Sequence, residues 1–318
     1  MNERRKFFKK VAFATSVLSI ASADASIGKN EAKASLIDLS LCDGCKDYSM
    51  PLCVAGCREK NLQNYPNPIK EIPDYYPKKI KEDFSNNKDD IGKLTPYNWI
   101  FIQHIKVEDQ EIFIPRRCMH CDDASCQKVC PFGVIKKFSD GAVRIDEKYC
   151  FGGAKCGDMC PWGIPQRQAG VGIYLKLAPK FAGGGVMYKC DMCHDMLIKG
   201  QKPMCEQRCP KQAIIFDDRE KIYHLAHEKV KRQGGYIYGD IQNGGTSTLY
   251  YSKIPFEKIN LALEEKYQNK KGTPHMQVEV ENKVLSQEKL IKSVLAAPFI
   301  GAIAGIIAVK RSKDEQDS

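Results

Sequence analysis

The sequence predicts a mixed α/β protein, of the α+β type, in which two interleaved modules are followed by a single transmembrane helix. Three observations predict this architecture. Cysteines with repeated spacings form four motifs, short runs of β-forming residues follow the motifs, and an uncharged apolar segment lies near the C-terminus. The expected parts are a leader at 1–25, a cysteine domain at 36–235 with an inner module at 118–160, an extension near the membrane at 236–290, and an anchor at 291–311.

The leader has the pattern of a twin-arginine export signal. A run of Arg-Arg-Lys-Phe-Phe-Lys at positions 4–9 precedes a mildly apolar stretch, and small residues around Ala23 and Ala25 offer cleavage sites. The alternative is a basic amphipathic helix of the mature protein, but such helices normally show a clear polar face. Twin-arginine export suits a protein that must fold before it crosses the membrane.

Short strands are expected around the cysteine motifs. Residues 60–97 are rich in Pro, Asn, Asp and Lys and predict a long surface loop. A hairpin of 99–107 and 111–115 leads to the second motif. The other expected elements are a hairpin at 138–146, a strand at 213–216, a helix at 218–232 and a glycine-broken segment at 236–251 that ends in a strand.

The fifteen cysteines occupy four motifs and no other position. The motifs are Cys42, Cys45, Cys53 and Cys57; Cys118, Cys121, Cys126 and Cys130; Cys150, Cys156 and Cys160; and Cys190, Cys193, Cys205 and Cys209. Disulfides and metal sites compete as uses for so many cysteines, and export favours disulfides. The odd number and the regular grouping favour metal.

The spacings are those of iron-sulfur ligands. The second and fourth motifs end in C-x3-C-Pro and are longer forms of the C-x2-C-x2-C-x3-C-Pro loop, which supplies three thiolates to one 4Fe-4S cluster and a fourth to its neighbour. The first motif lacks only the proline. Structural zinc also uses C-x2-C pairs, but it does not explain the repeated C-x3-C-Pro endings. Cys190-Asp-Met-Cys193-His194 also matches the attachment signature of c-type haem, although both cysteines already belong to a complete cluster motif and His194 is expected to be structural or solvated.

The third motif lacks one ligand. Gly153 stands where the second cysteine of the pattern belongs, and glycine cannot bind iron. The site of Cys150 and Cys156 is therefore expected to hold a 3Fe-4S cluster, or a 4Fe-4S cluster with water or an oxygen ligand such as Asp158. The expected cofactors are three 4Fe-4S clusters and one 3Fe-4S cluster.

The C-terminal segment predicts a membrane anchor. Residues 294–309 are apolar and uncharged, and extension to position 290 approaches the roughly 20 residues of a spanning helix. A buried core helix is the alternative, but Gly301 and Gly305 have the spacing of a helix contact in membranes. The flanking Lys310 and Arg311 favour a cytoplasmic C-terminus, with the cysteine domain on the outer face.

The formal charge of +10 does not require a nucleic-acid partner. Part of it belongs to the leader, and cations beside the cysteine motifs are suited to neutralise anionic clusters. Nucleic-acid binding is therefore not expected. These motif cations are Lys46, Arg58, Arg116, Arg117, Lys128, Lys155, Lys189 and Arg208.

The four motifs, their order and the eleven-residue insertion in the last one resemble the four-cluster, ferredoxin-like subunits of molybdopterin oxidoreductases and hydrogenases. The leader, Lys93-Leu-Thr-Pro-Tyr97, Tyr188-Lys-Cys-Asp-Met-Cys193 and the anchor are most similar to the iron-sulfur subunit of hydrogenase-2. The chain departs from that subunit at Gly153 and by five added residues between Cys45 and Cys53. The resemblance implies two interleaved ferredoxin-like iron-sulfur modules without catalytic residues.

The resemblance also implies a ligand pairing that crosses the motifs and a role in a larger complex. It groups Cys42, Cys45 and Cys53 with Cys209; Cys190, Cys193 and Cys205 with Cys57; Cys118, Cys121 and Cys126 with Cys160; and Cys150 and Cys156 with Cys130. The implied role is electron relay from the small and large subunits of a periplasmic nickel-iron hydrogenase to an integral membrane quinone-reducing subunit. The alternative is the same role beside a molybdopterin catalytic subunit, as in formate dehydrogenase.

Overall fold

The computed structural model describes residues 32–75, 81–177 and 184–282. The leader expected at 1–25 and the anchor expected at 291–311 lie outside these ranges. Among the described residues, no helix is both long enough and apolar enough to cross a membrane.

The described chain mixes short strands with short helices, so the α/β class is confirmed. The strands are β1 (Lys33–Asp38), β2 (Phe101–Val107), β3 (Gln110–Arg116), β4 (Ile135–Lys137), β5 (Val143–Ile145), β6 (Gln166–Gln168), β7 (Val186–Tyr188), β8 (Ile214–Asp218), β9 (Tyr236–Tyr238) and β10 (Thr248–Ser252). The helices are α1 (Leu52–Asn61), α2 (Ser125–Lys128), α3 (Lys155–Asp158), α4 (Tyr174–Leu177), α5 (His194–Leu197), α6 (Met204–Gln207), α7 (Arg219–Gln233) and α8 (Phe256–Tyr267).

The largest sheet joins distant parts of the chain. Its strand order is β8-β1-β10-β9, with β1 parallel to β10 and antiparallel to β8. Because side chains alternate along a strand, Leu36 of β1 packs with Ile222 and Ala226 of α7, whereas Ile37 belongs to the larger core on the opposite face. Residues on both sides of position 235 therefore contribute to one sheet.

Three two-stranded sheets lie outside the main sheet in the described ranges. The hairpin expected before the second motif is confirmed, since β2 pairs with β3 from Phe101–Arg116 to Val107–Gln110. The hairpin expected at 138–146 begins earlier than predicted, because Ile135 pairs with Ile145. The expected strand after the fourth motif and the helix that follows it are confirmed as β8 and α7.

The segment before β2 has the predicted loop character but is not confined to the surface. Its described part after α1 contains two short 3-10 turns, at Leu62–Asn64 and Ser85–Asn87. Near its end, Leu94, Tyr97 and Trp99 are buried. These side chains fill the core beside β2, which a composition rich in Pro, Asn and Lys does not reveal.

Two pairs of packed helices position the cysteines. α1 packs against α6, and α2 packs against α3. Each of these helices carries a cysteine of a C-x3-C pair, whose second cysteine lies four residues later. On α1, Cys53 and Cys57 are four residues apart and therefore lie on one helical face. In the other three helices the second cysteine lies just after the helix ends.

Candidate metal centres

All fifteen cysteines lie in the described ranges, and all are free thiols. Seven of them are buried and the others are partly buried. Most belong to or pack against the main hydrophobic core, so the thiols are part of the interior and not of a flexible surface. Free thiols at this density are suited to metal binding.

The loops that begin the four motifs share one backbone turn. The third residue of each loop has a positive φ, at Gly44 (70°), His120 (50°), Gly152 (74°) and Met192 (62°). For a residue with a side chain this conformation costs about 1–2 kcal/mol, and such strain concentrates at ligand sites. The loop that ends at Gly153 therefore keeps the turn of a C-x2-C loop although its second cysteine is missing.

The turns direct backbone N–H groups at the thiols. His120 N donates to Cys118 Sγ at 3.5 Å, and Met192 N donates to Cys190 Sγ at 3.4 Å. Donors aimed at sulfur stabilise a thiolate and tune an iron-sulfur cluster. The positive φ angles therefore place backbone N–H donors close to the sulfur atoms.

Thiol group I consists of Cys42, Cys45, Cys53 and Cys209, which line one cavity. Burial raises the pKa of the Cys42 thiol to about 12, and the thiols of Cys209 and Cys45 add to the rise. Ala213 N donates to Cys209 Sγ at 3.3 Å. The packing of α1 against α6 brings Cys209 to the three cysteines of the first motif.

Thiol group II consists of Cys57, Cys190, Cys193 and Cys205. Burial raises the pKa of Cys57 well above its ordinary value, and the next causes are the nearby thiols of Cys190, Cys193 and Cys205. The same helix pair explains both groups. Cys53 and Cys57 are one turn apart on α1, so they reach two different sets of thiols.

Thiol group III consists of Cys118, Cys121, Cys126 and Cys160. Burial raises the pKa of Cys121 well above its ordinary value, and the thiols of Cys118 and Cys160 raise it further. Burial also raises the pKa of the Cys126 thiol, and the thiols of Cys160 and Cys118 add to the rise. The packing of α2 against α3 brings Cys160 into this group.

Thiol group IV consists of Cys130, Cys150 and Cys156. Burial raises the pKa of Cys156, and the thiols of Cys126, Cys150 and Cys130 add to the rise. Met187 N donates to Cys150 Sγ at 3.5 Å. The neighbours of these thiols are consistent with the pairing that the resemblance implies, which stays a prediction.

The four thiol groups are linked through pairs of cysteines. Each group has an electrostatic neighbour in the next one. The neighbours are Cys53 with Cys205, Cys190 with Cys118, and Cys156 with Cys126.

Two buried cations lie among the interior groups. Lys189 is 4% exposed, and its Nζ lies 3.4 Å from Cys118 Sγ and 3.2 Å from the Cys190 carbonyl oxygen. Arg117 is 1% exposed and lies beside Cys190 and Cys205. Among the described residues, Nε and Nη1 of Arg117 have no hydrogen-bond acceptor. Arg117 Nη2 donates to Ser35 Oγ, which carries no charge. Because a buried cation without a counter-charge is costly, this environment favours nearby negative charge and fits thiolate-bound clusters.

The other cations expected to neutralise the clusters do not do so directly. Five of them form ion pairs with carboxylates, namely Lys46 with Glu111, Arg58 with Asp89, Lys128 with Asp123, Lys155 with Asp158, and Arg208 with Glu59. Arg116 is fully buried, its Nη2 donates to the carbonyl oxygen of His275 at 2.9 Å, and its guanidinium lies 5.4 Å from the Tyr250 ring centroid. As in Arg117, its Nε and Nη1 have no hydrogen-bond acceptor among the described residues. Proximity in sequence therefore overestimated how many cations face the thiols.

The structure bears on the oxygen ligand that was expected at the site of Gly153. Asp158 is largely exposed and lies 3.4 Å from Lys155 Nζ, which does not favour it as an oxygen ligand. Burial raises the pKa of the Glu147 carboxyl group, and its effect on the Cys150 thiol is smaller than that of burial or of Cys130. An oxygen ligand at this site stays a prediction.

His194 is structural, as expected. Its Nδ1 lies 2.6 Å from Asp140 Oδ2 at a largely buried position, and its ring packs on Phe138 at 4.3 Å between centroids. In the described ranges, no three side chains of metal-ligand type converge on one point, as the ligands of a single ion do. A cluster differs from a single ion in presenting a separate iron atom to each cysteine.

The fold and the thiol groups define the class of multi-cluster iron-sulfur proteins, and comparison with known proteins agrees. Two protein families, both described as a 4Fe-4S dicluster domain, match the chain. One matches residues 41–134 and the other matches residues 110–219. The chain belongs to the family of iron-sulfur subunits that contain these dicluster domains and serve electron transfer in oxidoreductase complexes.

Three relatives illustrate the range of the family. The hydrogenase-2 operon protein HybA of Escherichia coli O157:H7 is 28% identical over 265 residues, which are 71% of each chain. The formate dehydrogenase-O iron-sulfur subunit of Escherichia coli K12 is 30% identical over 69% of this chain and 66% of its own. The probable anaerobic dimethyl sulfoxide reductase chain YnfG of the same strain is 30% identical over 58% of this chain and 73% of its own. Another relative, from Nitratidesulfovibrio vulgaris, is matched over 56% of its length.

Proposed function

We propose that this protein relays electrons from a periplasmic nickel-iron hydrogenase to an integral membrane quinone-reducing subunit. The observation that carries the proposal is the succession of thiol groups I to IV, in which a cysteine of each group acts on a cysteine of the next. In this proposal the fifteen cysteines bind three 4Fe-4S clusters in groups I to III and one 3Fe-4S cluster in group IV. Bound clusters supply one-electron transfer, which no amino-acid side chain of the described site supplies by itself.

In this proposal, the protein's own residues bind the clusters, hold them at separate sites and shield them from water. The crossed helix pairs hold neighbouring thiol groups close together, and Lys189 lies between groups II and III. The surrounding apolar core excludes water from the interior groups. No residue is proposed to be catalytic, because relay requires neither an acid, a base nor a nucleophile.

Groups I and IV each lie near exposed apolar side chains, which suits a relay that contacts two partners. Beside group I, Leu41 and Tyr48 are large apolar side chains with high exposure. Beside group IV, Phe132 and Tyr149 are also exposed, and Phe132 stacks on Phe151 at 4.9 Å between ring centroids. These surfaces support contact with one partner at each end.

The location is part of the proposal. The leader at 1–25 and the anchor at 291–311 support a protein on the periplasmic face of the cytoplasmic membrane, held by a single C-terminal helix. The extension at 236–290 would then lie near the membrane. Carbonate extraction and protease protection of intact spheroplasts test this topology.

The second candidate is the same relay beside a molybdopterin catalytic subunit. The 30% identity to a formate dehydrogenase-O iron-sulfur subunit and to YnfG favours it as a specific alternative. Purification of the complex through a tag on this chain separates the two. Stoichiometric nickel in the complex supports the hydrogenase partner, and molybdenum or tungsten with pterin supports the alternative.

The cluster content is tested by iron, acid-labile sulfide and low-temperature EPR of the anaerobically purified protein. About fifteen irons, counted as three four-iron clusters and one three-iron cluster, are expected, with the isotropic signal of an oxidised 3Fe-4S cluster. Sixteen irons without that signal would show that another ligand replaces the cysteine at Gly153. Absence of labile sulfide would overturn the proposed function.

A further inference from the structure

The last cysteine of the fourth motif receives a backbone hydrogen bond from a residue four positions later. Ala213 N donates to Cys209 Sγ at 3.3 Å. The chain turns after this cysteine, because α6 has ended, Pro210 cannot continue a helix, and Gln212 has a positive φ of 51°. The turn leaves the N–H of Ala213 free of helical bonding and directs it at the sulfur.

The first motif cannot use its backbone in the same way. It has Arg58 where the other three motifs have proline, and α1 continues past Cys57 as far as Asn61. In an α-helix each N–H bonds to the carbonyl four residues earlier, so the N–H of Asn61 is directed at the Cys57 carbonyl and not at its sulfur. The backbone donor that serves Cys209 therefore has no equivalent at Cys57.

The side chain of Asn61 supplies a donor at this place. Its Nδ2 donates to Cys57 Sγ at 3.5 Å and to the Cys57 carbonyl at 2.9 Å, and an amide nitrogen has two hydrogens for these two bonds. Its Oδ1 accepts from Asn64 Nδ2 at 3.5 Å, which orients the amide with its nitrogen toward the cysteine. Asn61 is only 1% exposed, so water does not compete for these bonds.

We infer that Asn61 is a positioning residue that donates from Nδ2 to Cys57 Sγ and thereby raises the reduction potential of the cluster in thiol group II. The inference rests on the proposed function, because it requires a cluster bound by Cys57. Reduction adds negative charge to the cluster and its thiolates, and a donor aimed at sulfur stabilises the reduced state more than the oxidised state. Among the described thiols, Asn61 bonds to Cys57 alone, so the effect belongs to group II.

The test compares midpoint potentials in the full-length, anaerobically purified protein by EPR-monitored redox titration. In Asn61→Leu, which has similar size and no donor, one of the four midpoints should fall. The expected shift is about tenfold in the ratio of reduced to oxidised cluster at a fixed potential, or about 59 mV for a one-electron couple. The matched control is Asn98→Leu, because Asn98 is also fully buried but its Nδ2 donates to the Lys93 carbonyl at 2.9 Å and to no sulfur. The control should leave all four midpoints unchanged.

A second variant keeps the test valid if leucine is not tolerated. Asn61→Met also lacks the donor, and its flexible side chain adapts to the space that the amide leaves, so the same midpoint should fall. Unchanged or raised midpoints in a variant that retains its iron, or an equal fall in Asn98→Leu, would overturn the inference. Loss of the cluster from both Asn61 variants would also overturn it, since Asn61 would then serve assembly and not potential. Missing iron or sulfide in the unmodified protein would instead refute the proposed function.

Discussion

Single side chains set the electrostatic balance of the interior. Lys189 and Arg117 are buried cations among the thiols of groups II and III. Removing a cation from water costs several kcal/mol, and this cost is offset only where negative charge and hydrogen-bond acceptors surround it. The two cations therefore belong to the cluster sites in the same sense as the cysteines do, although neither would touch iron.

We expect Lys189→Met to lower two midpoint potentials, those of the clusters in groups II and III. The lysine lies beside Cys118 and Cys190, so its charge favours the more negative, reduced state of both clusters. Each potential should fall by about 59 mV or more, which is tenfold for one electron. EPR-monitored redox titration measures it, with Lys258→Met, an exposed lysine paired with Glu108, as the control. A fall in all four potentials, or in none, would contradict this placement.

Replacing Gly153 by cysteine should supply the ligand that group IV lacks. A Cβ at this position would meet only Phe151 Cδ1, at an ordinary distance of 3.8 Å. Gly153→Cys should therefore fold and complete group IV as a four-cysteine site. We expect the EPR signal of the oxidised 3Fe-4S cluster to disappear and the iron content to rise by about one. Persistence of the three-iron signal in a folded variant would show that the loop does not direct position 153 at the cluster.

At the scale of elements, pairs of short helices divide the cysteines among the sites. α2, α3 and α6 have only four residues each, too few to be stable alone. They persist because their cysteines are anchored in the core and because α1 packs against α6 and α2 against α3. The exchange of fourth ligands between motifs is therefore a direct result of helix packing.

The loop of group IV depends on two glycines that touch each other. Gly152 has a φ of +74°, and a Cβ there would lie 2.1 Å from the Gly185 carbonyl oxygen, just before β7. Gly163 has a φ of +58° and open space around it, so it controls for the cost of the positive φ. We expect Gly152→Ala to lose about 1–3 kcal/mol more stability than Gly163→Ala, because the backbone must move apart. Denaturant unfolding measures the difference. Equal losses in the two variants would mean that the close approach is not maintained in solution.

At the scale of the whole molecule, the metal sites and the hydrophobic core are one structure. The largest apolar cluster includes cysteines of all four thiol groups together with side chains from both hairpins and α8. A separate scaffold that could persist without the sites is therefore not expected. Folding and cluster binding should be coupled, as in small metal-dependent domains.

Removal of the clusters tests this coupling. Anaerobic chelation of iron would leave fifteen free thiols and two buried cations without their counter-charge. The apo protein should lose its cooperative thermal transition or unfold at a clearly lower temperature. Circular dichroism follows the transition, and reconstitution with iron and sulfide is the control for irreversible damage. An unchanged transition in the apo protein would show that the core is stable by itself.

Truncation separates the relay from its proposed membrane attachment. A chain that ends after Asn282 keeps every cysteine and the bonds by which Asn282 contacts Asp123 and Ser125. It should retain its iron and its EPR signals but leave the membrane fraction, because the apolar residues 294–309 are missing. Membrane fractionation of both chains measures this, with the full-length chain as the control. Retention of the truncated chain in the membrane would assign attachment to a partner.

The sequence by itself determined the cysteine motifs, the class of cofactor they favour and most of the strands beside them, because these features depend on local spacing and periodicity. Hairpin β2-β3, β8 and α7 were predicted for this reason. Only the tertiary structure decided which cations face the thiols, that β1 pairs with β10, and that Thr246 forms a bridge with Cys121. Those contacts join residues far apart in the chain, and their partners are selected by packing, so no local pattern records them.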